Sequence, residues 1–262
     1  MSAEPDSDET TARPGFGNEL RLALAFLTRV PVRLAPHVAD HPLAAAVRAF
    51  PFAGLPVAFA GSLVYAIAWT LGVPPALAGL LALGAMMMAT GALHEDGLAD
   101  FADAAGARDA DRRLAVMRDS RIGTFGVLAL ILSVGLRAGA LSYLADPFDV
   151  TCVLVAASCA SRACIVYAML VLPFARADGL ARLAGRPGRA RTLDALAIGA
   201  VFLLAMGGFA ALVALPLAAL ATLAVVGCAR RLVGGQTGDV LGSVQQMAEI
   251  AILLAALIAQ SW

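Results

Sequence analysis

The chain of 262 residues contains no lysine, and all 19 of its basic residues are arginine. That excludes Schiff-base chemistry on a lysine amine and any phosphate loop built around a lysine. Charge is scarce as well: Asp, Glu, Lys and Arg make up 15% of the chain, against about 25% in ordinary soluble domains. The formal net charge is zero, so no global basic field points to nucleic acid. There are only four cysteines, Cys152, Cys159, Cys164 and Cys228. They form no Cys-x-x-Cys pair and sit inside apolar runs, where cysteine behaves as a small hydrophobe. The first ten residues are acidic and polar, with neither a basic start nor an early apolar stretch, so they do not read as a signal peptide.

What the chain has in excess is apolar surface. Hydrophobic residues reach 60% and the mean hydropathy is +0.82, more than a water-soluble fold of this length can hide. The expected fold is therefore all-α: a polytopic helical bundle in a lipid bilayer. Runs able to supply the roughly 20 apolar residues of a spanning helix lie at 50–71, 75–93, 124–144, 150–172, 193–215, 216–233 and 244–262. They predict about seven transmembrane helices. An amphipathic stretch at 20–30 sets Leu22, Phe26 and Leu27 against Arg21 and Arg29, and is too short to span, so it predicts an N-terminal interfacial helix. Residues 1–18 read as a disordered acidic tail, and 19–262 as a single transmembrane catalytic domain.

Arginine gives the orientation. Apart from Arg137 and Arg162, which fall within spans, every arginine lies before residue 50, in loops at 94–123 and 173–193, or at Arg230 and Arg231. With seven spans these positions share one side, which the positive-inside rule makes the cytoplasm. The polar chemistry collects on that same side.

The densest group is His94-Glu95-Asp96-Gly97-Leu98-Ala99-Asp100-Phe101-Ala102-Asp103. Asp96, Asp100 and Asp103 share one face of a helix, and stacked carboxylates repel unless a cation sits between them. Oxygen-only ligation favours Mg²⁺ or Mn²⁺ over zinc, which makes the three aspartates the expected metal ligands and catalytic residues. His94 and Glu95 are candidate acid–base or supporting groups. The segment Met117 to Gly126 follows, with Arg118, Arg121, Gly123 and Thr124 at a helix start. Guanidinium forks and free N–H groups there can hold phosphate. Arg162 lies deep in a span, where charge is costly enough to imply function. Arg176 lies in an Arg-Ala-Asp-Gly turn, and a glycine-rich turn carries Gly235, Gln236, Thr237 and Asp239. The expected assembly has Arg118, Arg121 and Arg162 converging on a diphosphate, with the 235–239 turn closing the site. Such a set suits metal-assisted phosphoryl-type transfer at a membrane surface.

These motifs resemble the cobalamin synthase family, the adenosylcobinamide-GDP ribazoletransferases. The resemblance runs from Phe26-Leu-Thr-Arg-Val-Pro31 through Phe50-Pro-Phe-Ala-Gly54, the His94 to Asp103 segment, Met117 to Gly126, Ser161-Arg162, Arg176-Ala-Asp-Gly-Leu180 and Gly234-Gly-Gln-Thr-Gly-Asp239. It implies a Mg²⁺-dependent enzyme of the bacterial inner membrane. Its partners would be adenosylcobinamide-GDP and α-ribazole or α-ribazole 5′-phosphate, with GMP released. It leaves open the form of α-ribazole used and whether the chain is a homo-oligomer. Two other classes also place acids on membrane helices. A CDP-alcohol phosphotransferase would carry Asp-x-x-Asp-Gly-x-x-Ala-Arg, but here Asp96-Gly97 is followed by Leu-Ala-Asp. A cation-coupled transporter would spread polar groups through several spans or show an internal repeat, neither of which the sequence has.

Overall fold

The computed structural model describes residues 14–260, so most of the acidic tail and the last two residues of the terminal run lie outside the described residues. Among the described residues every regular element is helical, apart from one isolated parallel bridge between Phe174 and Gln236. The helices are α1 (Phe16–Leu27), α2 (Pro36–Ala39), α3 (Phe50–Thr70), α4 (Pro75–Thr90), α5 (Leu93–Ala105) and α6 (Ala110–Val116). They continue with α7 (Thr124–Leu144), α8 (Pro147–Val171), α9 (Leu180–Ala184), α10 (Arg189–Gly207), α11 (Ala211–Leu232) and α12 (Gly238–Gln260). A 3₁₀ turn, Leu43–Ala49, runs directly into α3. Because α1 starts at Phe16, the expected tail boundary at residue 18 falls two residues inside a helix.

Local chemistry sets several boundaries. Pro75 and Pro147 occupy first-turn positions, where a missing N–H costs nothing. Asp146 caps α8, accepting from the N–H groups of Phe148 and Asp149 at 2.8 and 3.2 Å. Five helical stretches are long and apolar enough to cross a membrane, or six if α4 and α5 count as one bent span. The chain is thus an all-helical polytopic membrane protein, and a count of seven is not reached on that measure. Two features account for the difference. α4 has only 16 residues, and α10 and α11 join through a 3₁₀ turn into one helical stretch of 44 residues at 189–232. At 1.5 Å per residue that run is about twice the depth of a bilayer core. Its halves flank the same stretch of α8, with Leu196–Leu203 on one side and Leu215–Leu223 on the other. The chain therefore turns back at the 3₁₀ turn Gly208–Ala210.

α8 is the central helix, buried along most of its length and packed against α3, α10 and α12. Glycines permit the closest of these crossings. A Cβ on Gly54 of α3 would lie 2.6 Å from the Ser158 carbonyl oxygen, and one on Gly199 of α10 would lie 2.6 Å from Ala163. Small residues are how helices approach closely where the solvent is lipid and gives little apolar driving force. Side chains such as Phe59, Leu63, Ile131, Leu132, Val201 and Leu220 face outward, as a lipid-exposed surface requires.

The arginine-bearing segments meet at one end of the bundle. Arg118 pairs with Asp178, Arg176 donates to the Leu114 carbonyl, and Arg113 donates to that of Leu232. α1 packs at this end too, through a fully buried Glu19. Its carboxylate accepts from Arg48 at 2.5 Å and from Arg191 at 2.8 Å. The amphipathic stretch read from the sequence is thus real, but it is tied to the bundle by ion pairs.

Candidate functional site

α4 and α5 meet at 93°. Gly91 and Ala92 both take left-handed φ values, 68° and 57°, and turn the chain there. α5 then packs against α12 and α7. It crosses α12 with the backbones almost touching. A Cβ on Gly97 would sit 3.0 Å from the Asp239 Cα, and Ser243 Oγ donates to the Gly97 carbonyl at 3.1 Å. The crossing brings Asp239 from α12 beside the aspartates of α5.

The three aspartates of α5 do not share one role. Asp103 is held at the start of α7: its carboxylate accepts from the N–H groups of Gly123 and Gly126 at 2.7 and 2.8 Å. Both glycines are needed for that seat, since a Cβ on either would strike the Asp103 carboxylate. The Gly-Thr-x-Gly segment, with Thr124 as the first residue of α7, therefore receives an internal carboxylate where an external phosphate was expected. Among the described residues no three His, Cys, Asp or Glu side chains are gathered as a metal site, so the expected triad of Asp96, Asp100 and Asp103 is not assembled. Asp239 joins Asp96 as a neighbour close enough to act on the Asp100 carboxyl, although these three are not gathered as a metal site either, and none of them is paired with an arginine within 4.0 Å. Burial, followed by the charges of Asp96, Asp239 and Asp103, pushes the Asp100 carboxyl up to about 7.

The seat of Asp103 gives a direct expectation. Gly126→Ala must displace that carboxylate, and it also meets the Ala99 carbonyl oxygen at 3.0 Å. It should cost roughly 1–3 kcal/mol, read as a lower Tm in detergent. Gly135→Ala on the same helix, where nothing lies within 4 Å, should leave the Tm unchanged or raise it.

The expected arginine clamp is not formed either. Arg118 makes a forked pair with Asp178, at 2.7 and 2.8 Å. Arg121 folds back on Asp119 at 2.6 Å, fully exposed, and those hydrogen bonds hold the Asp119 carboxyl down at about 2. Arg162 is buried in the bundle interior, apart from both. In the glycine-rich turn, Gly235 lets the chain pass tight against the Pro173 carbonyl. Gln236 donates to the Met169 and Leu172 carbonyls at 3.2 and 3.0 Å, closing the end of α8. Thr237 caps α12, accepting from the Val240 N–H at 3.2 Å. Gly235 thus docks the turn, while Gln236, besides closing α8, lines the same open space that Thr237 and Asp239 border.

Arg162 belongs to a buried polar group that the sequence reading only partly found. Arg137 bridges Glu95 at 3.1 Å and Glu249 at 3.2 Å. Gln246 donates to Glu95 and accepts from Ser133, while Gln245 donates to Glu249 at 2.6 Å and to Ser161. Arg162 donates to the Ser158 carbonyl at 2.8 Å and has no carboxylate within 4.0 Å. His94 lies against this group with its Nε2 unpartnered. Burial, then Arg162 and Arg137, hold the His94 pKa well below its ordinary value, so the imidazole is neutral and poorly suited to keep a proton. Gln245, Gln246 and Glu249 passed unnoticed inside the terminal apolar run. Their i, i+1, i+4 spacing, which puts them on one helix face, was the available signal.

Two cavities open at this end of the bundle. One, of about 150 Å³, lies between α1, α3, α5, α8, α9 and α12, and Asp96, His94 and Asp239 are on its wall. The other, of about 140 Å³, is lined by Arg176, Arg182, Asp178, Thr237 and Asp239. It adjoins a wider recess that Arg118 also borders. Arg182, legible in the sequence only as one of the positive-inside arginines, lies over the Phe174 ring at 5.0 Å. Burial lowers the Arg176 pKa, and the charge of Asp239 opposes that shift.

Carboxylates without arginine partners, beside an arginine-lined recess at one end of a helical membrane bundle, are the polar centre of a polytopic membrane enzyme. The chain belongs to the cobalamin-5-phosphate synthase family, which it matches over residues 19–257, and it is a transferase of cobalamin biosynthesis. It is 51% identical to the adenosylcobinamide-GDP ribazoletransferase of Bradyrhizobium diazoefficiens over 240 residues, covering 91% of this chain and 92% of that protein. It is 42% identical to the protein of the same name from Mesorhizobium japonicum over 247 residues, with 93% and 94% covered. No solved structure matches the chain. The family membership leaves no place for the lipid-enzyme and transporter readings.

Proposed function

We propose that this chain joins α-ribazole, or its 5′-phosphate, to adenosylcobinamide-GDP and releases GMP, at the cytoplasmic face of a bacterial inner membrane. The names of its relatives support the substrates, and the arginines gathered at one end support the orientation. In this reading an acceptor hydroxyl oxygen bonds to the phosphorus that carries cobinamide. The P–O bond to GMP breaks, and GMP leaves with the bonding pair. With no lysine in the chain, Arg118, Arg176 and Arg182 are the side-chain cations at hand to meet the diphosphate charge.

The donor set fits a hard divalent cation: Asp96, Asp100 and Asp239 offer only oxygen and have no arginine within 4.0 Å, and burial, with the neighbouring carboxylates adding to it, raises Asp100 to about 7. We place Mg²⁺, or Mn²⁺, on these three; it would supply Lewis-acid stabilisation of the phosphoryl oxygens. Asp103 orients the start of α7, and His94, kept neutral, can orient a bound hydroxyl.

The carrying observation is the set of aspartates without arginine partners beside the recess lined by Arg176 and Arg182. It is tested by GMP release from purified protein, which should require both substrates and Mg²⁺. Below about pH 7 Asp100 holds a proton that the cation must displace, and above it the site is already ionised. The Mg²⁺ concentration for half-maximal activity should therefore rise by about tenfold per pH unit below 7 and level off above it. A requirement for Mg²⁺ that does not vary between about pH 6 and about pH 8 would remove Asp100 from the cation site.

A further inference from the structure

The two cavities share a wall. Leu180 and Ala181 of α9, with Gly238 and Asp239 of α12, border both. They differ sharply in chemistry. The cavity that contains Asp96 is walled by Phe26, Leu27, Phe50, Ile165 and Met169, and no arginine lines it. The acidic side chains on it are the carboxylates of Asp96 and Asp239. No guanidinium is at hand inside it to pair with a phosphate. The cavity across the wall carries Arg176 and Arg182 and adjoins the Arg118 recess, which suits a diphosphate.

Volume narrows the first cavity's occupant. A space on the order of 150 Å³ lined by aliphatic and phenyl groups stays dry and admits a ring the size of benzene. The cavity here is about 150 Å³ and apolar apart from the edge formed by His94, Asp96 and Asp239. A corrin macrocycle is far too large for it. Carboxylates at one edge of an apolar pocket accept hydrogen bonds from hydroxyl groups, as a pocket holding the ring of an alcohol would need. Attack on phosphorus also requires the reacting atoms to come within about 3–3.5 Å, and a shared wall between the two cavities is where an alcohol and a diphosphate can meet.

The geometry points to the apolar cavity as the acceptor site. It holds an uncharged, planar heterocyclic ring among Phe26, Phe50, Ile165 and Met169, and presents the attached hydroxyls to Asp96 and Asp239. The short helix α9 is the partition between acceptor and donor. This assignment rests on the functional reading above for the identity of the alcohol, but its test does not depend on turnover.

Equilibrium dialysis of α-ribazole against the full-length protein in detergent reads the site directly. Benzimidazole alone should displace α-ribazole from the unmodified protein. Ala184→Leu fills a position that lines the apolar cavity and not the arginine-lined one. It should weaken α-ribazole binding by about tenfold or more, as about 1.4 kcal/mol of lost contact would give. Arg182→Gln, on the other side of the partition, should raise the KM for adenosylcobinamide-GDP and leave α-ribazole binding within about twofold. Failure of benzimidazole to displace α-ribazole would overturn the assignment without any variant having to fold. So would a folded Ala184→Leu protein that binds α-ribazole normally, or equal weakening by both variants. Displacement of α-ribazole by added phospholipid, with benzimidazole inert, would give the cavity to an acyl chain and also overturn it. Absence of GMP release from the unmodified protein is a different result. It would count against the functional reading, while binding and displacement would still decide the cavity.

Discussion

Asp96→Asn should leave a folded, membrane-inserted protein whose rate of GMP release is lower by a factor on the order of 10³. The side chain is exposed on α5 and borders the acceptor cavity, so amide for carboxylate changes charge and cation affinity with little change in packing. Asp103→Asn is the instructive partner. On sequence alone the two aspartates look equivalent, but Asp103 spends its carboxylate on the N–H groups of Gly123 and Gly126. An amide keeps one acceptor oxygen and turns the other into a donor facing an N–H, so this variant should lose about 1–3 kcal/mol of stability and little of its turnover per folded molecule. The pair is measured by rate and Tm together. Loss of rate in Asp103→Asn at unchanged Tm would return Asp103 to the reacting centre.

Arg137→Met should be the most damaging single change to folding. Arg137 is 1% exposed and is the cation between Glu95 and Glu249. Removing it strands two buried carboxylates, at a cost of about 3–5 kcal/mol. That is a large part of the roughly 5–15 kcal/mol that holds a typical domain together. Adding Glu95→Gln and Glu249→Gln should recover most of the loss, since neutral amides of the same shape need no cation. Yield of monodisperse protein and its Tm report the outcome. A single Arg137→Met variant as stable as the parent would mean the three side chains are solvated and their apparent burial is immaterial.

Much of this protein was legible from composition. The apolar runs, the lopsided arginines and the acidic motif correspond to helices, to loops gathered at one end, and to α5. The elbow at Gly91 and Ala92 was not legible, because no proline marks it and the turn depends on two consecutive left-handed residues. The run 189–232 divides into two helices, as the separate apolar runs at 193–215 and 216–233 suggest, but the break lies at Gly208–Ala210 and not at Pro216, because a 3₁₀ turn of Gly, Phe and Ala reverses the chain without one polar residue. The partner of Asp103 lies 20 and 23 residues downstream, and Arg137 finds its carboxylates 42 and 112 residues away. Local patterns carry no trace of such pairings. Motif glycines were legible as close approaches but not as approaches to what, since a glycine that admits a ligand and one that admits a neighbouring backbone look alike in sequence.

α5 is fastened at three places. Glu95 is tied to Arg137 near its start, Gly97 lies against α12 in the middle, and Asp103 is seated on α7 near its end. A helix of 13 residues so held can neither roll nor slide. Its remaining carboxylates therefore cannot drift apart to relieve their repulsion while the enzyme is idle. The folding of the rest of the chain thus sets their positions in advance, so that whatever binds there meets a site already in place.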